Sequence, residues 1–358
     1  MARSEGGRLV YADLLRVAAM LAVIVIHVSA GWLESSPVGT ADWHALNTWD
    51  GLCRWAVPVF VMCSGMFLLD PKRSLPLPHL FLGHFLRMAA ALLVWGVAYH
   101  LLYQLLAGTL SLASIPYALY AVILGNTEAH LWYLITMMGL YLLTPLLRAF
   151  VRGASRGDFH WCFLIYGLFM LALPLFLRLR GSQTVALYAD RLSLNFTLAF
   201  PPLAYVGYFL AGYYLKTYTL GRLAEGIVYV LGIAGAVATV AGTTLLSHRA
   251  RGLDVTLYSY LTPNVAAMAV AVFVLFRYVL GISDERSRKQ RVSGMAACGF
   301  GVYLCHVMFL ILLRHFGLAI PPIPAAIGVP LLTLVIFVPS YALSWFIHKI
   351  PVVGRYLT

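Results

Sequence analysis

Windows of about 20 apolar residues, the length a helix needs to cross a roughly 30 Å hydrocarbon core, recur from one end of this chain to the other. They fall at 9–31, 51–69, 84–106, 130–150, 159–178, 199–216, 224–246, 262–281, 294–316 and 325–348. The pattern predicts an all-α polytopic integral membrane bundle of ten transmembrane helices. Residues 1–358 form a single domain, because no long polar stretch interrupts the apolar runs. The longest connections, 32–50, 107–129 and 179–198, are too short to hold a separate catalytic domain, so any site lies within the bundle or at its mouths. The stretch 107–129, with Ser114-Ile115-Pro116-Tyr117, suits a short interfacial or re-entrant helix.

Composition strengthens this reading. The chain is 61% hydrophobic and 11% charged, against about 45–50% and about 25% in soluble domains, whose cores cannot absorb so much apolar surface. Orientation follows from the basic residues: 18 of the 25 Lys and Arg fall on the side that holds the N-terminus, so both termini are expected in the cytoplasm. Those cations sit in short clusters between apolar runs, never on one continuous face, which argues against nucleic acid as a partner despite the formal charge of +12. The five cysteines lie in apolar stretches without CxxC or zinc-type spacing, so no metal is expected. Arg3, Arg8 and Arg16 precede the run Val17 to Val28, and Val28-Ser29-Ala30 resembles a signal-peptidase site. Asp13 and Arg16 inside the helix, and nine further apolar runs, make an uncleaved first span the expectation.

Ionisable groups inside a span cost about 2.5–3.5 kcal/mol each on insertion scales and call for a partner, a wet cavity or a function. The first span carries Asp13, Arg16 and His27. Arg16 and His27 are separated by three helical turns plus about 20° and a rise of about 16 Å. All three share one face, with Arg16 near the cytoplasmic end and His27 past the midplane, as on the wall of a tunnel. The bland alternative pairs Asp13 with Arg16 at the interface and leaves His27 as a packing residue. Arg54, at the outer end of the second span, either snorkels to the interface or serves the site. His84 and Arg87 open the third span, and Tyr303 and His306 lie three apart in the ninth. Trp32, Trp43 and Trp49, beside Asp42, His44 and Asp50, read either as an interfacial aromatic belt or as surfaces that stack on sugars.

These residues resemble the motifs of the acyltransferase-3 family of multi-spanning acyl transferases. Tyr11-Ala12-Asp13-Leu14-Leu15-Arg16, ten residues and His27 are similar to its Arg-x10-His pattern with the preceding acidic residue. Three further stretches agree in order and spacing: Arg54 to Gly65 with Val57-Pro58-Val59-Phe60 and Ser64, His130-Leu131-Trp132-Tyr133-Leu134, and Gly301-Val302-Tyr303-Leu304-Cys305-His306. The likeness is greatest to the enterobacterial common antigen O-acetyltransferase branch. One departure is His84-x-x-Arg87, where many members have Arg-x-x-Arg.

The resemblance implies an O-acetyltransferase of the bacterial inner membrane. Acetyl-CoA would be the co-substrate, a glycan or lipid-linked glycan the acceptor, and polysaccharide-synthesis machinery a partner. Arg16, Arg87 and His84 would bind the donor, while Arg54, Ser64, Trp132, Tyr303 and His306 would meet substrate. His27, with Arg16 and Asp13, would carry catalysis, either as general base or through an acetyl-histidine. Two rival classes remain: a secondary transporter or flippase of a glycan lipid, and a structural subunit of an export complex. No convincing internal repeat supports the transporter.

Overall fold

The computed structural model describes residues 9–180, 201–280 and 291–358, with side chains from 294 onward in the last stretch. The first eight residues, most of the expected 179–198 loop and the segment 281–290 lie outside the described residues, together with the basic groups counted there.

Fourteen α-helices are described: α1 (Val10–Leu33), α2 (Ala41–Cys53), α3 (Ala56–Leu68), α4 (Leu86–Leu106), α5 (Ser114–Ile123), α6 (Trp132–Gly153), α7 (Arg156–Tyr166), α8 (Leu173–Arg180), α9 (Val206–Thr217), α10 (Arg222–Ala250), α11 (Pro263–Tyr278), α12 (Arg291–His315), α13 (Ala325–Lys349) and α14 (Val353–Leu357). Among the described residues, nine helices or helix pairs are long and apolar enough to cross a membrane, so the protein is a multi-pass helical membrane protein. Helix α1 stands at the centre and packs against α2, α3, α11, α12 and α13.

Three departures from the expected spans shape the site. The second span begins ten residues early, because the expected 32–50 loop contains α2, whose cap is the Thr40 hydroxyl accepting from the Trp43 amide at 3.2 Å. The helix then breaks at Arg54–Trp55 and restarts as α3. Pro58 is the third residue of α3, where an amide has no intrahelical partner, so a helix can restart there at little cost. The third span opens earlier too, with a π-helical segment His79–Phe85 that runs into α4. The expected short helix in 107–129 is α5, which packs on α4.

The expected span 199–216 is a 3-10 turn, Pro201–Tyr205, followed by the 12-residue α9. Twelve residues rise only about 18 Å, yet the segment runs the depth of the bundle, from Tyr205 on an outer cavity to Lys216, which reaches Asp70 beyond the end of α3. It can be short because it is sheathed by protein rather than lipid. Helices α3 and α9 touch backbone to backbone. A Cβ on Gly65 would overlap the carbonyl of Phe209, and one on Gly212 would overlap the carbonyl of Met62. Gly212→Leu is expected to force these helices apart and to cost more than the usual ~1–3 kcal/mol of overpacking, read as a lower unfolding temperature in detergent. Gly153→Leu, with nothing within 4 Å of its Cβ position, serves as the control.

Leu9, at the start of α1, lines the same cavity as Arg87, and Arg87 donates to the main-chain oxygen of Thr358. Both ends of the described chain therefore lie at one face, called inner below.

Candidate functional site

Three cavities follow one another through the bundle. A single stripe of α1 passes along all of them: Leu9, Asp13 and Arg16 line the inner cavity, Val23 and His27 the middle one, and Ala30 the outer one.

The inner cavity, about 620 Å³, collects Arg16, Arg73, His84 and Arg87 with Asp13 as its carboxylate. Arg16 approaches Asp13 at 3.8 Å, and the Arg16 and Arg73 guanidiniums lie 4.9 and 4.8 Å from the Phe67 ring centroid. Arg87 lies 4.8 Å from the Phe300 centroid. Three guanidiniums around one open space make a strong site for a polyanion, since each offers several charge-assisted donors in a fixed fork. Ser64 also faces this cavity, with its hydroxyl donating to the Phe60 carbonyl at 3.0 Å.

Arg73 is presented by a clamp. Arg148 donates to the carbonyls of Leu68, Asp70 and Arg73 at 2.7, 2.9 and 2.6 Å, fixing the turn after α3. Lys216 pairs with Asp70 at 2.6 Å. Burial would raise the Asp70 carboxyl, but the Lys216 hydrogen bond, the Lys72 amide and the nearby cations outweigh it and hold the group below its ordinary value.

The middle cavity, about 230 Å³, contains His27, His130, Trp132 and Tyr303 in its walls. His27 belongs to a cluster of imidazoles: its ring centroid is 5.1 Å from that of His306 and 6.0 Å from that of His130, which are 5.3 Å apart. His306 Nδ1 lies 2.7 Å from the Tyr303 carbonyl, and His130 Nε2 lies 3.3 Å from the Leu304 carbonyl. A carbonyl only accepts, so those nitrogens are assigned the protons. The remaining nitrogens, His306 Nε2 and His130 Nδ1, are buried lone pairs without a protein donor. Two lone pairs cannot satisfy each other. Tyr303 donates to the main-chain oxygen of His130, and Tyr99 donates to the Leu304 carbonyl at 2.7 Å, so the frame around the cluster is fixed.

The outer cavity, about 690 Å³, is lined by Glu34, Asp50, Arg54, Arg178, Asp254 and the rings of Tyr205, Tyr258 and Tyr260. Arg54 pairs with Asp50 at 2.5 Å and lies 4.3 Å from the Tyr258 centroid. With 15% of its side chain exposed and Asp50 fully buried, Arg54 is held inward and does not snorkel. Tyr260 lines both the middle and outer cavities and stacks on Trp132 at 5.9 Å.

The expected residues are thus distributed rather than pooled. Asp13, Arg16, Ser64, His84 and Arg87 face the inner cavity, His27 and Trp132 the middle one and Arg54 the outer one, while Tyr303 lies on the wall between inner and middle. His27 and Arg16 do not share one open tunnel; Phe60, Tyr133 and Tyr303 line both cavities and form a neck between them. His306 stands behind His27, 1% exposed, and lines none of the three. Trp43 is fully buried and Trp32 is 5% exposed, so neither forms an interfacial belt or an open sugar platform.

Sequence reasoning gave no role to His130, Asp50, Tyr260, Arg73 or Arg148. His130 stood within a quoted motif, and Asp50 four residues before Arg54 was the available signal for an ion pair. Arg148 had no such signal, because its three acceptors are main-chain carbonyls of a distant turn. Among comparisons with known proteins, a family model described as an acyltransferase domain matches residues 9–349. No curated protein and no solved structure matches the chain.

Proposed function

This chain belongs to the acyltransferase-3 family, and from that premise we propose that it moves an acetyl group from cytoplasmic acetyl-CoA to a hydroxyl of a cell-surface glycan or its lipid-linked precursor. The observation that carries the reading is the stripe of α1 that passes a cationic inner cavity, an imidazole-lined middle cavity and an outer cavity rich in carboxylates and aromatic faces.

The division of labour follows from the chemistry of each space. CoA carries several phosphate charges, which Arg16, Arg73 and Arg87 suit, with His84 beside them. The uncharged pantetheine arm passes the Phe60–Tyr133–Tyr303 neck and brings the thioester to His27. The acceptor enters from the outer cavity, where Arg54, held in place by the buried Asp50, and Glu34 offer hydrogen bonds to sugar hydroxyls and Tyr260 leads inward. His27 removes the hydroxyl proton as oxygen bonds to the thioester carbonyl carbon. The tetrahedral intermediate collapses with cleavage of the carbon–sulfur bond, and the CoA thiolate leaves and takes the proton back from His27. Products are the acetyl ester and free CoA thiol. Asp13 orients Arg16. His306 and His130 act through His27 by packing against its ring, 5.1 and 6.0 Å away between centroids, and so are positioning residues.

The charge bias and the family resemblance support a location in a bacterial inner membrane with α1 starting in the cytoplasm. Motif likeness to the common antigen branch favours a lipid-linked envelope sugar as acceptor. A flippase would need a passage as wide as a sugar headgroup, whereas the neck between inner and middle cavities is made of three aromatic rings.

Acetyl-CoA binding and turnover by the purified protein test the reading, together with mass spectrometry of surface glycans from a deletion strain. Arg16→Ala and Arg87→Ala are each expected to weaken donor binding roughly 10–150-fold, the equivalent of about 1.5–3 kcal/mol for a charged hydrogen bond, with a smaller change in kcat and a weaker effect at high salt. Unchanged donor affinity in both variants would move the CoA site elsewhere.

A further inference from the structure

The lining of the middle cavity is chemically mixed. Beside His27, Tyr133, Tyr260 and Tyr303 it includes an aliphatic patch, Val23 and Ile26 from the same helix as His27 and Val57 from α3. These three aliphatic side chains are 3%, 5% and 7% exposed, so each is backed by packed core. Nothing in the transfer chemistry uses this patch.

We propose that Val23, Ile26 and Val57 form an acyl pocket that stops the donor chain at about two carbons and makes the protein select acetyl over longer acyl groups. The inference rests on the acyl-CoA reading above and deepens it. A donor held by the inner cations reaches His27 only past Phe60, Tyr133 and Tyr303. Tyr133 packs against both of the others, with ring centroids 6.2 Å from Phe60 and 5.5 Å from Tyr303. The hydroxyl of Tyr303 is tied to the His130 main chain. An arm threaded through such a neck arrives with its acyl tip leading. Beyond lies a cavity of about 230 Å³. That space must hold the acyl group, the thioester and the carbon bearing the attacked hydroxyl. The aliphatic patch cannot yield, because packed cores resist overfilling. One methylene too many in a fitted apolar pocket typically changes kcat/KM by about 10–200-fold.

The experiment uses inside-out membrane vesicles carrying the full chain, which expose the donor face and retain the native acceptor. Incorporation of label into glycan is compared for acetyl-, butyryl- and hexanoyl-CoA. Wild type is expected to favour acetyl over butyryl by about 100-fold or more. Ile26→Ala removes three carbons from the patch and Val57→Ala removes two; each is expected to narrow that ratio about tenfold or more. A ratio is read because any disturbance of neighbouring His27 affects all donors alike. Val57→Ala, on a different helix, carries the comparison if Ile26→Ala does not accumulate. Wild type that uses butyryl as readily as acetyl, or a ratio unchanged in both variants while acetyl is still transferred, overturns the acyl pocket alone. Failure of wild type to transfer any acyl group overturns the acyltransfer reading itself.

Discussion

His27→Ala is expected to accumulate in the membrane at the wild-type level and to transfer acetyl about 10²–10⁴-fold more slowly, the usual contribution of a positioned general base. The two halves of this outcome have separate causes. A sugar hydroxyl is a weak nucleophile at neutral pH, and no other imidazole in the cluster both lines the middle cavity and has surface open to it: His130 is 3% exposed and His306 is 1% exposed. Removing the His27 ring leaves room beside a cavity whose walls already carry polar groups, so water can fill it and meet the lone pairs of His306 and His130. Folding therefore loses little. Quantified acetyl incorporation alongside a membrane-fraction immunoblot separates the effects, and full activity in the variant would remove His27 from the mechanism.

Breaking the Asp50–Arg54 pair is the second large effect. Asp50 is fully buried and Arg54 nearly so, at 2.5 Å from one another, where α2 breaks before α3. Truncating one partner strands the other charge in a low-dielectric site, which typically costs about 3–5 kcal/mol. Asp50→Ala and Arg54→Ala are both expected to unfold at clearly lower temperature in detergent. Replacing both together, as Asp50→Leu with Arg54→Met, removes the stranded charge and is expected to recover most of the stability. Acetyl transfer is not expected to recover with it, because the outer cavity then lacks the guanidinium assigned to the sugar. A double variant with wild-type turnover would reduce the pair to a structural role, and single variants as stable as wild type would contradict the burial argument.

The helices were legible where a feature repeats along one stretch of chain. Apolar windows marked the crossings, and the spacing of Asp13, Arg16 and His27 marked one face of α1. The break at Arg54–Trp55 was harder to see, since Pro58 does not by itself say whether a helix bends, stops or restarts. The crossing by α9 was expected from its hydropathy, but its brevity depends on the carbonyl-to-glycine contacts at Gly65 and Gly212, which join residues far apart in sequence. Arg148 illustrates the limit most plainly. In the chain it is one more inner-side cation, and in the fold it is a three-carbonyl clamp behind Arg73.

By itself the sequence determined that this is a multi-pass helical membrane protein, that one face of its first helix carries a basic group and an imidazole three turns apart, and which family those residues resemble. Only the tertiary structure decided that three cavities lie along that face, that aromatic rings divide the first two, and that His306 and His130 stand behind His27. Hydrophobic length and helical period are set by residues within a few turns of each other, so they can be read from the chain. The imidazole cluster joins α1, the turn before α6 and α12, with His130 meeting Leu304 across 174 positions. Such a meeting is fixed by how helices pack, and no local pattern encodes it.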